Sequence, residues 1–132
     1  MMLKKIVVVF VFAFLLNFIW EHLHSVFYVS YKGGEITNFI LLKAALFDAT
    51  VIALTAYLTL SLFGRGRVGE GVSILVLIIF AILLEKWALG TGRWVYTDAM
   101  PIIPFLRVGL TPVIQLGLLG YISLRISNFF RD

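Results

Sequence analysis

The chain has 132 residues, of which 61% are hydrophobic and only 14% charged, against roughly 45–50% apolar and about 25% charged in soluble domains. A protein this small lacks the interior to hide so many apolar side chains, so the excess faces lipid and an ordinary soluble domain is excluded. The net charge of +4 raises the question of a nucleic-acid partner, and the absence of cysteine removes disulfides, thiolate metal sites and thiol nucleophiles.

Four apolar stretches follow one another, at about 6–29, 36–63, 72–89 and 106–126. Each approaches the ~20 residues that span ~30 Å of hydrocarbon as a helix. Runs this continuous exclude barrel strands, which alternate in polarity. The expected fold is therefore all-α: one integral membrane bundle of four transmembrane helices occupying residues 1–132. The first stretch, entered through Lys4 and Lys5, imitates a secretory signal peptide. It runs on into Asn17, Trp20 and Glu21 without a small-residue cleavage site, which predicts an uncleaved first helix.

Between the second and third stretches, residues 64–71 read Gly-Arg-Gly-Arg-Val-Gly-Glu-Gly and contain a literal G-x-G-x-x-G. A dinucleotide fingerprint needs a strand before it and an acidic residue about 20 positions later. Here a transmembrane stretch lies on either side, so a tight basic hairpin is expected. The third connection, residues 90–104, carries Trp94, Tyr96 and two prolines, the composition of an interfacial anchor. Pro112, early in the fourth stretch, is expected to remove a backbone hydrogen bond and kink that helix.

Orientation follows from Lys and Arg in the short connections. With four spans, the termini and the middle loop share a side that holds Lys4, Lys5, Arg65, Arg67, Arg125 and Arg131. The acids there are Glu70 and Asp132. The opposite half holds five bases (Lys32, Lys43, Lys86, Arg93, Arg107) and five acids (Glu21, Glu35, Asp48, Glu85, Asp98). The whole basic excess is thus an orientation signal that puts both termini in the cytoplasm, in a multi-pass protein of the inner or plasma membrane. No nucleic-acid partner is needed to explain it.

The membrane-embedded charges converge on the outer half. Asn17, Glu21 and His24 lie at i, i+4 and i+7 on one helix face, and Arg107, Thr111 and Gln115 form a second stripe at i, i+4 and i+8. Asp48 and Glu85 bring the second and third helices into the same region. Intramembrane charges cost about 2.5–3.5 kcal/mol each on insertion scales, so they pair and often mark function. Purely structural pairing is one account, with Glu21 bridging to Arg107 or Lys86 and Asp48 to Lys43.

Several chemistries compete for this constellation. Glu21 and His24 form one Glu-x-x-His pair, where di-iron bundles use two, and no metal or other cofactor is expected. Two histidines on one helix cannot grip opposite faces of one haem iron. No nucleophile elbow appears. A complete proton path is disfavoured because nothing comparable continues inward past Thr55 and Thr59. A carboxyl group in an apolar site favours its protonated form, which suits general acid chemistry on a lipid-soluble substrate. Aromatic faces such as those of Trp20, Trp87, Trp94, Tyr28 and Tyr96 could stabilise a cationic intermediate.

Two short segments resemble known families. Glu85, Ala88, Gly92, Trp94 and Tyr96 match the spacing of a signature in the membrane lycopene cyclase domain of carotenoid pathways. That signature has an acidic residue, Ala three on, Gly seven on, Trp nine on and an aromatic eleven on. The family usually has Asp where this chain has Glu85, and it carries Glu residues shortly after a proline where this chain has Gln115. Asn17, Trp20 and Glu21 are similar to the Asn-x-x-Trp-Glu element of fungal integral-membrane terpene cyclases, whose Glu is implicated in protonation. Both resemblances imply cyclisation or isomerisation of an isoprenoid without a redox cofactor.

The resulting expectation is a polar pocket in the outer half that binds or converts an isoprenoid-like membrane lipid. Glu21, Asp48 and Glu85 are the catalytic candidates, with Glu21 as proton donor. Asn17, His24, Arg107, Thr111, Gln115, Trp94 and Tyr96 would contact substrate. The alternative is a non-enzymatic homo- or hetero-oligomeric membrane subunit, or a small proton- or ion-coupled transporter, using the same charges.

Overall fold

A computed structural model describes residues 2–130. In chain order the elements are α1 (Met2–His24), β1 (Tyr28–Tyr31), α2 (Asn38–Phe63), α3 (Arg67–Gly90), β2 (Trp94–Tyr96), β3 (Ile102–Ile103), β4 (Val108–Gly109) and α4 (Leu110–Ser127). Single 3-10 turns follow α1 (Ser25–Phe27) and α4 (Asn128–Phe130). Among the described residues, four helices are long and apolar enough to cross a membrane. The shortest, α4, has 18 residues, about 27 Å at 1.5 Å per residue.

The helices form a ring in which α1 and α3 each pack on both α2 and α4. Lys5 Nζ donates to Ser127 Oγ at 2.9 Å and to Asn128 Oδ1 at 2.6 Å, and Arg125 lies 3.8 Å from Glu70. The start of α1, the start of α3 and the end of α4 are therefore at one end, and the bundle runs up-down-up-down. The strands sit at the other, which is called here the hairpin end.

Small residues set the helix spacing. Ala13, Ala49, Ala56 and Ala81 are interleaved with Ile52, Leu60, Leu77 and Leu124 in the core. On α4, a Cβ added to Gly120 would lie 2.7 Å from Leu77 Cδ1, so the absence of a side chain is what lets α3 approach. Close backbone approach through small residues is the usual device where lipid supplies no hydrophobic drive between helices. The outward faces are apolar as well: Leu15, Leu54, Leu83 and Leu118 are exposed.

The strands were not anticipated, and they shift several boundaries. The first helix ends at His24, because residues 28–31 pair antiparallel with 94–96 in the register Tyr28↔Tyr96, Ser30↔Val95 and Tyr31↔Trp94. A tight turn closes this segment, with Tyr31 and Gly34 exchanging backbone hydrogen bonds of 3.1 and 2.9 Å. Its central residues Lys32 and Gly33 have φ of 51° and 78°, both positive as a type I′ turn requires. Helix α2 starts later than expected, where the Thr37 hydroxyl accepts from Ile40 N at 3.2 Å and caps the first turn.

Helix α3 starts earlier, at Arg67, so most of the glycine-rich middle connection is helical. A Cβ at Gly69 would sit 1.8 Å from the Gly64 carbonyl oxygen, which explains the need for glycine at that close approach. Helix α4 begins at Leu110, not near 106, since Val108–Gly109 pairs with Ile102–Ile103. Pro112 therefore falls in the first turn, where its missing N–H has no helical acceptor to lose, and the expected kink has no cause there.

Candidate functional site

At the level of Asn17 the core gives way to polar side chains from three helices. Asn17 of α1 is fully buried and donates through Nδ2 to the Ala13 carbonyl at 2.7 Å, which leaves its Oδ1 as an acceptor. Gln115 Nε2 of α4 approaches that oxygen at 2.8 Å. The same nitrogen lies 2.9 Å from Glu21 Oε1 and 3.0 Å from Asp48 Oδ2. An amide nitrogen carries two hydrogens, and here it faces three acceptors. Gln115 is thus the hub that joins α1, α2 and α4.

Glu85 of α3 has a separate set of partners. Its Oε1 accepts from Tyr96 Oη at 2.5 Å, Trp94 Nε1 at 3.4 Å and Tyr28 Oη at 3.5 Å. The Gly109 N–H in turn donates to Tyr96 Oη at 2.9 Å. The sequence spacing now has a physical account. Glu85 lies on the buried face of α3 one turn before its end, Gly92 turns the chain with φ of 72°, and Arg93 N bonds back to the Ala88 carbonyl at 2.8 Å. Trp94 and Tyr96, two apart on a strand, then point to the same side and return to Glu85. Ala88 is completely buried beneath this return.

Burial pushes the Tyr28 hydroxyl far above its ordinary value of 10.0, and the adjacent Glu85 charge adds to the effect. Tyr96 is raised for the same reasons, burial first and then its bond to Glu85. Both phenols therefore stay protonated and serve as donors.

A cavity of about 400 Å³ opens between these two clusters, within the ~300–1,000 Å³ typical of small-ligand sites. Glu21, Asp48, Glu85 and Gln115 line its polar floor, while Leu41, Phe47, Leu84 and Leu116 are among its apolar walls. Lys32, Lys43 and Arg93 also line it. Among the described residues, Glu21, Asp48 and Glu85 have no ion-pair partner; the ion pair found is Arg125 with Glu70. The structural pairing of Glu21 with Arg107 or Lys86, and of Asp48 with Lys43, does not form. Lys86 Nζ instead donates to the Leu106 carbonyl at 2.8 Å.

Of the residues singled out from sequence, the structure gathers Glu21, Asp48, Glu85, Trp94 and Gln115 on the cavity, with Asn17 and Tyr96 directly behind them. His24 and Thr111 bond each other across α1 and α4 at 2.5 Å. Thr111 also donates to Met100 Sδ at 3.3 Å. This pair lies outside the cavity lining and ties the hairpin end together, with the His24 ring packed by Trp20, Phe27 and Tyr28. Arg107 is not brought to the site. It precedes α4, is exposed, and has φ of 59°, so the expected stripe with Thr111 and Gln115 loses its first member. Among the described residues no three His, Asp or Glu side chains group as metal ligands.

The sequence offers Tyr28 only as one aromatic face among several, and it does not single out Tyr31 or Arg93 as site residues. The signal for the first two was the aromatic and β-branched run Tyr-Val-Ser-Tyr before Lys-Gly-Gly, a strand-and-turn pattern absorbed into a long apolar stretch.

The fold and site together define a bundle of four helices, each long and apolar enough to cross a membrane, with an acid-lined, aromatic-walled cavity at one end. Comparison of the chain with known protein families, curated proteins and solved structures finds no match to any of them.

Proposed function

We propose that this protein is a multi-pass membrane protein, both termini cytoplasmic, that binds an isoprenoid-like lipid in the hairpin-end cavity and isomerises or cyclises it by acid catalysis. The observation that carries this reading is the meeting of Glu21 and Asp48 at a single amide, Gln115 Nε2, on the floor of a largely apolar cavity. Asn17 accepts one of the amide hydrogens, so only one remains for two carboxyl groups. A proton held by the Glu21–Asp48 pair supplies the missing hydrogen and removes the repulsion between two neighbouring anions.

That proton is the reagent. Glu21, half-buried beside the cavity, transfers it to one carbon of a substrate double bond; a C–H bond forms as the π bond breaks, and the other carbon becomes cationic. A neighbouring double bond attacks this centre to close a ring, or an adjacent C–H proton leaves directly. In either case the proton lost from carbon returns to the carboxylate pair, so the net reaction is an isomerisation without redox change. Glu85 plays a different part. Three neutral donors hold its Oε1, and a hydrogen-bonded carboxylate beside the Tyr28 and Trp94 rings stabilises positive charge on carbon.

The test uses the mobile proton. The protein in nanodiscs is incubated in D2O with geranylgeraniol and with geranylgeranyl monophosphate, and the lipids are analysed by chromatography and mass spectrometry. The expected result is an isomeric product carrying a single deuterium on carbon, lost in Glu21→Gln and Asp48→Asn. Unlabelled lipid recovered unchanged from both substrates defeats the catalytic reading.

A further inference from the structure

The cavity's lining carries positive charge that the acid catalysis proposed above does not use. Lys32 Nζ lies 5.6 Å from the centre of the Tyr31 ring, and Arg93 Cζ lies 5.4 Å from the centre of the same ring. Arg93 is also 5.3 Å from the centre of the Trp87 ring, so two aromatic rings hold its guanidinium in place. The two backbones are joined as well, with Lys32 N donating to the Arg93 carbonyl at 2.6 Å. Lys43, from the second turn of α2, lines the same opening.

Among the described residues none of these three cations is paired with a carboxylate. The ring attracts each cation, but the two like charges repel one another, and an anion between them would relieve that repulsion. The local backbone adds to this cost. Lys32 adopts a φ of 51°, a region that a residue with a Cβ enters at about 1–2 kcal/mol; Asn, Asp or Gly is the usual occupant of that turn position. A clamped guanidinium that has no carboxylate partner among the described residues suits phosphate or carboxylate oxygens.

We infer that the clamped pair Lys32 and Arg93, with Lys43 beside them, forms a head-group site for an anionic, phosphate-bearing single-chain lipid whose hydrocarbon tail enters the cavity toward Glu21 and Asp48. This rests on the lipid-binding reading above and adds to it the substrate's polar end. The head group at the mouth sets how far the chain reaches, and so which double bond arrives at the carboxyl pair.

Binding is measured on the full chain in neutral phosphatidylcholine nanodiscs, using geranylgeranyl monophosphate, geranylgeraniol and inorganic phosphate as probes. The expected result is about a hundredfold tighter binding of the phosphate lipid than of the alcohol, with Lys32→Gln and Arg93→Gln each removing about tenfold, the scale of one charge-assisted bond. Alcohol binding stays unchanged in both variants and reports that they fold. If Arg93→Gln loses alcohol binding too, Lys32→Gln, an exposed position, decides alone. Equal affinity for phosphate lipid and alcohol overturns the head-group site while leaving the cavity reading intact. Competition by inorganic phosphate at the lipid's own concentration also overturns it, because a free anion is then the ligand. Binding of neither lipid overturns both readings.

Discussion

Gln115 and Glu21 meet at 2.9 Å between α4 and α1, and the same amide nitrogen reaches Asp48 on α2 at 3.0 Å. One neutral side chain thus gathers two acids from different helices without a cation. A lysine or arginine there would neutralise the acids and hold them as a structural ion pair; an amide leaves them free to share a proton.

Gln115→Leu keeps the side-chain volume roughly constant but leaves Asn17 Oδ1 and both carboxyl groups without their donor. Each buried polar group without its partner costs about 1–3 kcal/mol. The expected outcome is a bundle about 2–4 kcal/mol less stable, by the sum of such losses after partial relaxation, measured by thermal unfolding in detergent. Gln115→Glu has a different outcome: it can share protons with its neighbours at low pH, so it is destabilised more at pH 8 than at pH 5. Equal loss at both pH values would contradict the role given to the amide.

The tyrosines around Glu85 predict a response to alkali. Tyr28 and Tyr96 titrate above 10.0 in the folded protein, higher than in the unfolded chain. The stability they contribute is therefore complete below pH 10 and is lost as pH rises beyond it. Tyrosinate absorbance should show Tyr28 and Tyr96 among the five tyrosines resisting titration until the protein unfolds. Tyr96→Phe, which removes the 2.5 Å bond to Glu85, should lower stability by about 1–3 kcal/mol. A normal titration of all five tyrosines in the folded state would contradict the arrangement.

Two glycines at helix contacts should differ in their tolerance. At Gly120 the obstacle is the tip of Leu77, 2.7 Å from an added Cβ, and a side chain can shift. At Gly69 it is the Gly64 carbonyl oxygen at 1.8 Å, and backbone cannot yield without opening the α2–α3 connection. Gly69→Ala is expected to cost at least about 3 kcal/mol and Gly120→Ala about 1 kcal/mol or less, the spread seen for overpacking. Unfolding midpoints of the two variants check the order; the reverse order would contradict the close approach at Gly69.

How far the site could be read from sequence varied with the range of the interaction. The i, i+4 spacing of Asn17 and Glu21 placed them on one face of α1, and both reach the Gln115 amide. The same rule placed Arg107 with Gln115 and failed, because it presumes a helix that has not yet begun at residue 107. The pairing of β3 with β4 delays the start of the helix to Leu110, and such pairing depends on contacts that helical periodicity does not encode. The strand position of Tyr28 is hidden for the same reason. Its residue type favours a strand, but the partner that makes it one, Tyr96, lies far along the chain.

Composition and hydropathy alone required four long apolar helices, because 61% hydrophobic residues cannot be buried inside a bundle of this size. They also required the buried acids to find neutral donors or cations, since an isolated charge in hydrocarbon is too costly to leave unpaired. Which partners they found was decided only in three dimensions. The ring order of the helices put Gln115 opposite Glu21 and Asp48, and the hairpin end folded Tyr28, Trp94 and Tyr96 over Glu85. Helix formation is a local, periodic property of the chain, whereas the partner of a buried carboxyl depends on which faces of separate helices pack together.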